Sequence, residues 1–142
     1  MALETEELVL DTDTVRSGVE ALLLDSRKGL YFVAETGAGT IVGQVMVTYE
    51  WSDWRNGNFW WLQSVYVEPS HRGVGVFRAL YHHVVAQAAR EPEVCGLRLY
   101  MHHANGRARQ CYEKLGMRAT SYEVLEWLSR DANSYKETPP EA

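Results

Sequence analysis

Cysteine, proline and long apolar runs are all scarce in this sequence. Its 142 residues include four prolines and two cysteines, Cys95 and Cys111. Two cysteines do not build a disulfide framework, so we expect reduced thiols and a cytoplasmic protein. No apolar run reaches the roughly 18 residues that a membrane span needs, and the N-terminal MALETEELVLD lacks the basic start and apolar centre of a secretory signal. We therefore expect no membrane partner.

Basic charge is also in short supply. Lysine and arginine together number 14 against 19 aspartates and glutamates, which gives a net charge of −5. Proteins that bind a phosphate backbone usually carry a basic stripe, so we expect no nucleic-acid partner. An acidic balance is compatible with cationic partners.

Metal-ligand spacings are missing as well. The two histidine pairs, His82–His83 and His102–His103, consist of adjacent residues, which diverge on a helix and alternate across a strand. There is no His-x-x-x-His or Cys-x-x-Cys spacing. We expect no metal site.

Helical and strand patterns alternate along the chain. Asp and Thr caps ahead of apolar residues at steps of three and four predict a first helix. Runs rich in β-branched and aromatic residues predict strands, two of them separated by an Asn-Gly turn. The predicted helices cover residues 14–25, the stretch from the glycine loop to Pro92, and residues 105–116. The predicted strands cover residues 29–35, 39–51, 59–69, 96–102 and 117–127.

This order of elements predicts an α/β fold with a mixed sheet and helices on its faces. Three strands joined by short turns form a meander, and the later strands need helical crossovers. The length suits one domain, which we place at residues 1–128. The polar tail over 129–142, which ends in ETPPEA, is expected to be flexible.

The segment PSHRGVGVF places two glycines between a predicted strand and a predicted helix. Unpaired N–H groups and the helix dipole attract anions at such a position, and glycine lets the backbone approach a phosphate closely. A Walker loop would end in Gly-Lys-Ser or Gly-Lys-Thr, and a dinucleotide fingerprint would have a third glycine after a parallel strand. The segment matches neither, so we predict a diphosphate site of another kind.

Two segments together resemble the GNAT superfamily of acyl-CoA-dependent N-acyltransferases. VYVEPSHRGVGVF resembles the loop pattern Arg or Gln, two residues, Gly, one residue, Gly or Ala; Arg72 and Gly75 match it, whereas Phe77 stands where Gly or Ala is usual. LRLYMHHANGRARQCYEKLGM is similar to the family's second signature in order and spacing. The resemblance covers roughly Leu30 to Leu128 and implies a GNAT-like fold shortened at its N-terminus, without the usual first strand and helix.

The resemblance implies acetyl-CoA as acyl donor and coenzyme A as product. Backbone groups of Val65 and Val67 would pair with the pantetheine amides as an added strand does; plain sheet packing is the alternative. The Phe77 side chain is expected in the apolar stripe of its helix. Asn105 is either a helix cap or a cap that also binds the cofactor. The loop residues whose amides would hold the diphosphate, in place of a simple tight turn, are Arg72, Gly73, Val74, Gly75, Val76 and Phe77.

The resemblance also implies a catalytic acid. Tyr112 matches the family's acid, and a phenol of pKa about 10 can share a proton with a leaving thiolate of pKa about 8.5; a tyrosine at the protein surface is the alternative. Some members carry a Glu where Gln63 stands, and Gln63 is no base, although it could hold a water. The candidate carboxylates for the substrate amine are Glu50 and Asp53, with solvated turn charges as the alternative.

The function implied by the resemblance is direct N-acetylation of a primary amine of a small molecule. Trp51 and Trp54 near the carboxylates favour a cationic acceptor. The alternatives are an acyl-CoA-binding module without turnover and acetylation of a protein or peptide amine. Without a first strand the edge of strand 29–35 would be unpaired, so we expect a homodimer; the alternative is a monomer whose N-terminal segment covers the edge.

Overall fold

A computed structural model describes residues 9–129 of the chain. Within that range, Ala21–Tyr100 form one compact unit, and residues up to Glu20 together with those from Met101 onward form a second. No helix in residues 9–129 has the length and apolar character required to cross a membrane. The prediction of a single domain over 1–128 stays a prediction.

The first helix, α1, spans Thr12–Leu24. It begins at Thr12 instead of the predicted Thr14 because Asp11 is the cap: its carboxylate accepts a hydrogen bond from the Thr14 backbone N–H at 2.8 Å. Its buried residue is Leu22. The predicted helix therefore forms, with an earlier start.

Four strands form one mixed sheet in the order β1-β2-β3-β4. The pairs β1–β2 and β2–β3 are antiparallel, whereas β3–β4 is parallel. Asn56, with a φ of 45°, takes the left-handed conformation that the Asn-Gly turn between β2 and β3 requires. The predicted α/β class with a mixed sheet is confirmed. The strands are β1 (Leu30–Glu35), β2 (Ile41–Ser52), β3 (Gly57–Val67) and β4 (Val94–Arg98).

The second helix, α2 (Val76–Ala88), packs against all four strands and covers one face of the sheet. The Phe32 and His83 rings meet at 5.4 Å between centroids, which joins β1 to the helix. Burial of apolar side chains between a helix and a sheet is the main source of stability in such a layer. The buried residues that form this core include Val45, Val47, Trp60, Leu62, Leu80, Tyr81 and Val84.

The third helix, α3, spans Gly106–Lys114. The Asn105 side chain caps it by accepting a hydrogen bond from the Ala108 backbone N–H at 3.0 Å. Gly116 follows the helix with a φ of 92°, the conformation that ends many helices. This agrees with the helix predicted over 105–116.

The strand predicted over 117–127 is wrong, because these residues form no strand in the structure. Their β-branched and aromatic residues fit a strand, but a strand also needs a neighbour to satisfy its backbone groups. Tyr122, Leu125 and Trp127 are all exposed, Trp127 to 86%. Residues 130–142, most of the predicted tail, and the N-terminal residues 1–8 lie outside the described range.

Candidate active site

The backbone of the Ala21–Tyr100 unit forms an opening where β3 and β4 separate. The parallel pairing runs from Asn58↔Val94 to Trp61↔Arg98 and ends there. β4 stops at Arg98, whereas β3 continues to Val67. The segment Leu62–Val67 therefore borders β2 on one side and has no ladder with β4 on the other. An extended ligand can pair with such an edge as an added strand would.

A β-bulge shapes β3 within this opening. Gln44 pairs with Tyr66 and Met46 with Gln63, so β3 contains one residue more than β2 at this point. Ser64 has a φ of 48°, and its carbonyl accepts a hydrogen bond from the Gln44 side-chain amide at 3.2 Å. Bulges bend a strand and change the direction of the residues that follow. Of the predicted pantetheine contacts, Val65 lies in the bulge beside Ser64, and Val67 follows it.

The glycine loop lies at the carboxyl end of β3, next to the opening. Gly73 and Gly75 have φ values of 80° and 94°, which side chains rarely adopt, and a Cβ on either glycine would meet no atom within 4 Å. Gly75 is the N-cap of α2, and no side chain caps the helix. The amides at a helix start have no acceptor within the helix. The loop therefore presents backbone N–H groups and a positive dipole end to a ligand.

The Arg72 side chain joins the loop to the end of β3. Its Nε donates to the Val67 carbonyl at 2.8 Å, and its guanidinium lies 5.5 Å from the centre of the Tyr66 ring. Arginine has further N–H donors in the same plane, suited to phosphate oxygens. The structure thus brings Arg72, the glycines and the last residues of β3 together.

The Phe77 side chain turns along its own helix. It is half-buried, and its ring lies 6.2 Å from that of Tyr81, a buried residue of α2. The Phe77 ring, at the position where Gly or Ala is usual in the resemblance, therefore extends toward the apolar stripe of α2. Val74 and Val76 complete the loop, Val74 being 74% exposed.

Glu50 and Gln63 are both engaged by other side chains. The two oxygens of Glu50 accept hydrogen bonds from Trp61 Nε1 and from Arg98 Nη1, the latter at 2.8 Å. Gln63 donates from its amide to the Thr48 hydroxyl at 2.6 Å. Both oxygens of Glu50 are thus bonded to donors within the protein, and the roles proposed for Glu50 and Gln63 in substrate binding stay predictions.

Asp53 lies at the tip of the β2–β3 hairpin, at the opposite end of β3 from the glycine loop. Its carboxylate accepts a hydrogen bond from the Trp54 backbone N–H at 2.9 Å. The strand from Gly57 to Leu62, where the opening begins, spans about 16 Å at about 3.3 Å per residue. Trp51 and Trp54 on the same hairpin are 58% and 83% exposed. To act at the acyl group, Asp53 would have to reach across that distance.

Tyr112 and Asn105 lie in the second unit, on and before α3. Tyr112 is half-buried, and burial, with a smaller effect of the neighbouring Cys111 side chain, raises the pKa of its phenol to about 12. The phenol is therefore a neutral hydrogen-bond donor throughout the physiological pH range. Asn105 acts as the helix cap; contact with a cofactor stays a prediction.

The contacts of Arg98 and Trp61 with Glu50 are what sequence reasoning missed. Both residues lie in segments that were predicted as strands, but their shared partner depends on which strands are neighbours and in what register. The sequence offered only a weak signal for this contact: Glu50 and Arg98 are charged residues within two predicted apolar strands. Within residues 9–129, no group of three or more His, Cys, Asp and Glu side chains is arranged to hold a metal ion.

Known structures share this architecture. A possible acetyltransferase from Clostridium difficile 630 is 44% identical, with a TM-score of 0.83 over 90% of this chain and 84% of that one. An aminoglycoside acetyltransferase, HMB0005, from an uncultured soil metagenomic sample is 21% identical, with a TM-score of 0.67 over 80% and 75% of the two chains. AAC(6')-Iy, in complex with the bisubstrate analogue CoA-S-monomethyl-acetylneamine, is 17% identical, with a TM-score of 0.69 over 84% and 81%.

The family assignment rests on most of the sequence. No curated protein matches the chain. Residues 3–117, which include the sheet, the glycine loop and α3, match the Acetyltransferase (GNAT) family. The similarity to the Clostridium difficile structure extends over nearly the whole chain. The chain therefore belongs to the acetyltransferase (GNAT) family.

Proposed function

We propose that this protein transfers an acetyl group from acetyl-CoA to a primary amine of a small molecule. The observation that carries the proposal is the opening between β3 and β4, which leads to a glycine loop at the start of α2. An extended ligand with a diphosphate at one end fits this combination. Acetyl-CoA has this shape and is the acyl donor that the family assignment favours.

In this proposal the cofactor occupies the opening from the loop inward. The amides of residues 73–77 and the Arg72 guanidinium bind the diphosphate, whereas the Arg72 backbone N–H donates to the Pro69 carbonyl at 3.3 Å. Backbone groups of Val65 and Val67 pair with the pantetheine amides. The Val67 carbonyl already accepts a hydrogen bond from Arg72, and a carbonyl oxygen has a second lone pair for another donor. The thioester then lies toward Trp61, where the strands meet.

The reaction is a direct transfer in this scheme. The neutral amine nitrogen attacks the thioester carbonyl, the C–N bond forms, the C–S bond breaks, and its electron pair leaves with the coenzyme A thiolate. The amine releases one proton to a base or to solvent water. Tyr112 donates a hydrogen bond to the thiolate as it forms. Because the pKa of Tyr112 is about 12 and that of a thiol is about 8.5, complete proton transfer to the thiolate is uphill.

The acceptor class is supported by two features. Exposed tryptophans and an aspartate on the β2–β3 hairpin suit a cationic molecule long enough to span the roughly 16 Å from there to the opening. Two solved proteins of the same fold are an aminoglycoside acetyltransferase and AAC(6')-Iy in complex with the bisubstrate analogue CoA-S-monomethyl-acetylneamine. Both names refer to small amines, and this chain shares the fold with them.

A panel of acceptors tests the proposal. The purified protein is incubated with acetyl-CoA and polyamines, aminoglycosides, amino acids or a lysine peptide, and released thiol and the mass of the acetylated product are measured. We expect thiol release with at least one small amine. Release with the peptide alone would indicate a protein acceptor. Binding of coenzyme A without any release would indicate a binding module and contradict the proposal.

A further inference from the structure

The separation of β3 and β4 occurs at a defined point. Trp61 and Arg98 form the last pair of the parallel ladder, after which β3 continues beside β2 but without β4. β4 is only five residues long and lies at the edge of the sheet. Its backbone pairing alone gives weak control over where the strands separate, because the ends of short edge strands fray easily.

Side chains reinforce this last pair from across the sheet. Arg98 on β4 extends over the Phe59 ring, 3.7 Å from its centre, and donates to Glu50 on β2 at 2.8 Å. The second Glu50 oxygen accepts from the indole N–H of Trp61 on β3. One carboxylate therefore ties β4 and β3 to β2 beside the point of separation.

The environment of the Arg98–Glu50 pair restricts its geometry. The Arg98 and Glu50 side chains are 27% and 40% exposed, so solvent screens the pair only in part. A charge-assisted bond from a planar guanidinium has a preferred direction. Gly96 lies opposite Phe59, and a Cβ on it would come within 2.9 Å of the ring. The Phe59 ring thus lies close to the β4 backbone at Gly96, two ladder pairs before Arg98.

We propose that Glu50, Arg98 and Trp61 form a clamp that fixes where β3 and β4 separate and thereby positions the acyl end of the bound acyl-CoA. The inference rests on the proposed function, because it needs an acyl-CoA in the opening. Arg98 and Glu50 act as positioning residues: they hold the strands and do not contact the reacting atoms. Loss of the clamp lets the last pair open and deepens the acyl end of the opening.

A deeper opening has a measurable signature in acyl-chain preference. One methylene in a fitted apolar pocket changes selectivity by about 10-fold or more. Deepening the acyl end should therefore improve binding of butyryl-CoA relative to acetyl-CoA. Binding of coenzyme A itself depends on the glycine loop and on Leu62–Val67, so it should change little.

The experiment uses the full chain and needs no acceptor. Dissociation constants for coenzyme A, acetyl-CoA and butyryl-CoA are measured by calorimetry for the parent, Arg98→Met and Glu50→Gln. Methionine keeps apolar contact with Phe59 and removes the charge, and glutamine keeps the shape of Glu50 but cannot accept from both donors. We expect about a 10-fold rise in preference for butyryl-CoA over acetyl-CoA, with coenzyme A affinity within about threefold of the parent.

Asp25→Asn is the matched control. It removes ion pairs with Arg27 and Lys28 in the turn after α1, which involve none of the three clamp residues, and should leave the acyl preference unchanged. The clamp is contradicted if the preference for butyryl-CoA over acetyl-CoA is unchanged in either folded clamp variant, or if Asp25→Asn shifts it equally. Either result leaves the proposed function standing. If the parent binds no coenzyme A, the proposed function fails as well.

Discussion

The Tyr112 phenol stays protonated throughout the physiological pH range, since burial raises its pKa to about 12. A group of this kind stabilises a developing thiolate by donating a hydrogen bond, because the complete proton transfer is uphill. The Tyr112 hydroxyl should therefore affect the rate of the chemical step. Cofactor binding should depend on it little.

Replacing Tyr112 with phenylalanine isolates the hydroxyl. We expect kcat with the acceptor that the amine panel identifies to fall by roughly 10- to 1000-fold, and the melting-temperature rise caused by coenzyme A to stay unchanged. Tyr122→Phe is the control, because Tyr122 is 70% exposed and lies outside α3. Equal activity in Tyr112→Phe and the parent would exclude Tyr112 as the donor.

Single residues differ in how well the sequence predicts their surroundings. Asn105 is predictable as a cap because its partner, Ala108, is three positions away. Glu50 was predicted to face a substrate amine, but the structure pairs it with Arg98, 48 positions away. That contact depends on the register of three strands, which a local pattern does not contain.

At the scale of elements, the glycine loop and α2 are continuous and act together. The backbone at Gly73 and Gly75 has positive φ, and the loop turns directly into the helix start. Both glycines therefore determine the path of the chain, and in the proposed function they also let the diphosphate approach the backbone. A side chain at Gly75 should rotate the loop amides away from their positions.

Thermal stability with and without coenzyme A tests this element. A ligand at 100 times its Kd stabilises the folded state by about 2.7 kcal/mol, so the parent should melt at a clearly higher temperature. Gly75→Val should abolish the rise, because a β-branched residue strongly disfavours a φ of 94°; Gly75→Ala is the milder variant.

Gly18→Ala provides the comparison for that variant. Gly18 lies within α1, has no atom within 4 Å of a Cβ position, and has no positive φ. Gly18→Ala should retain the full rise in melting temperature with coenzyme A. A normal rise in both Gly75 variants, or no rise in the parent, would rule out the loop as the diphosphate site.

Element boundaries were predictable where local signals define them. The Asn-Gly turn, the Asp11 region and Gly116 each mark an end that depends on nearby residues. The strand predicted over 96–102 instead covers Val94–Arg98, because β3 and β4 separate after Arg98 and leave the later residues without a ladder. The strand predicted over 117–127 failed for the same kind of reason: its sequence suits a strand, but none of the strands within residues 9–129 pairs with it.

At the scale of the whole molecule, two features point to association. In the described residues, β1 pairs only with β2, so its outer edge has no strand beside it. After α3, the segment 119–129 exposes several large apolar side chains. Exposed apolar side chains and open strand edges favour contact with another chain. These side chains are Tyr122, Val124, Leu125 and Trp127.

We propose that two copies of the chain form a two-fold dimer through these surfaces. Light scattering at micromolar concentrations should give the dimer mass. The double variant Leu125→Asp with Trp127→Asp should give the monomer mass, and Trp54→Asp, at an equally exposed tryptophan on the hairpin, should not. A monomeric parent with normal coenzyme A binding would contradict the dimer and show that one chain protects its own edge.

The bond from Arg72 to the Val67 carbonyl has an entropic consequence. An arginine on a loop ordinarily samples many rotamers and loses that freedom when a ligand arrives, at about 1 kcal/mol. Here the Nε donates at 2.8 Å to Val67, a bond made within the protein itself. Folding rather than binding therefore restricts the side chain, and the loop presents its positive charge in a preorganised orientation.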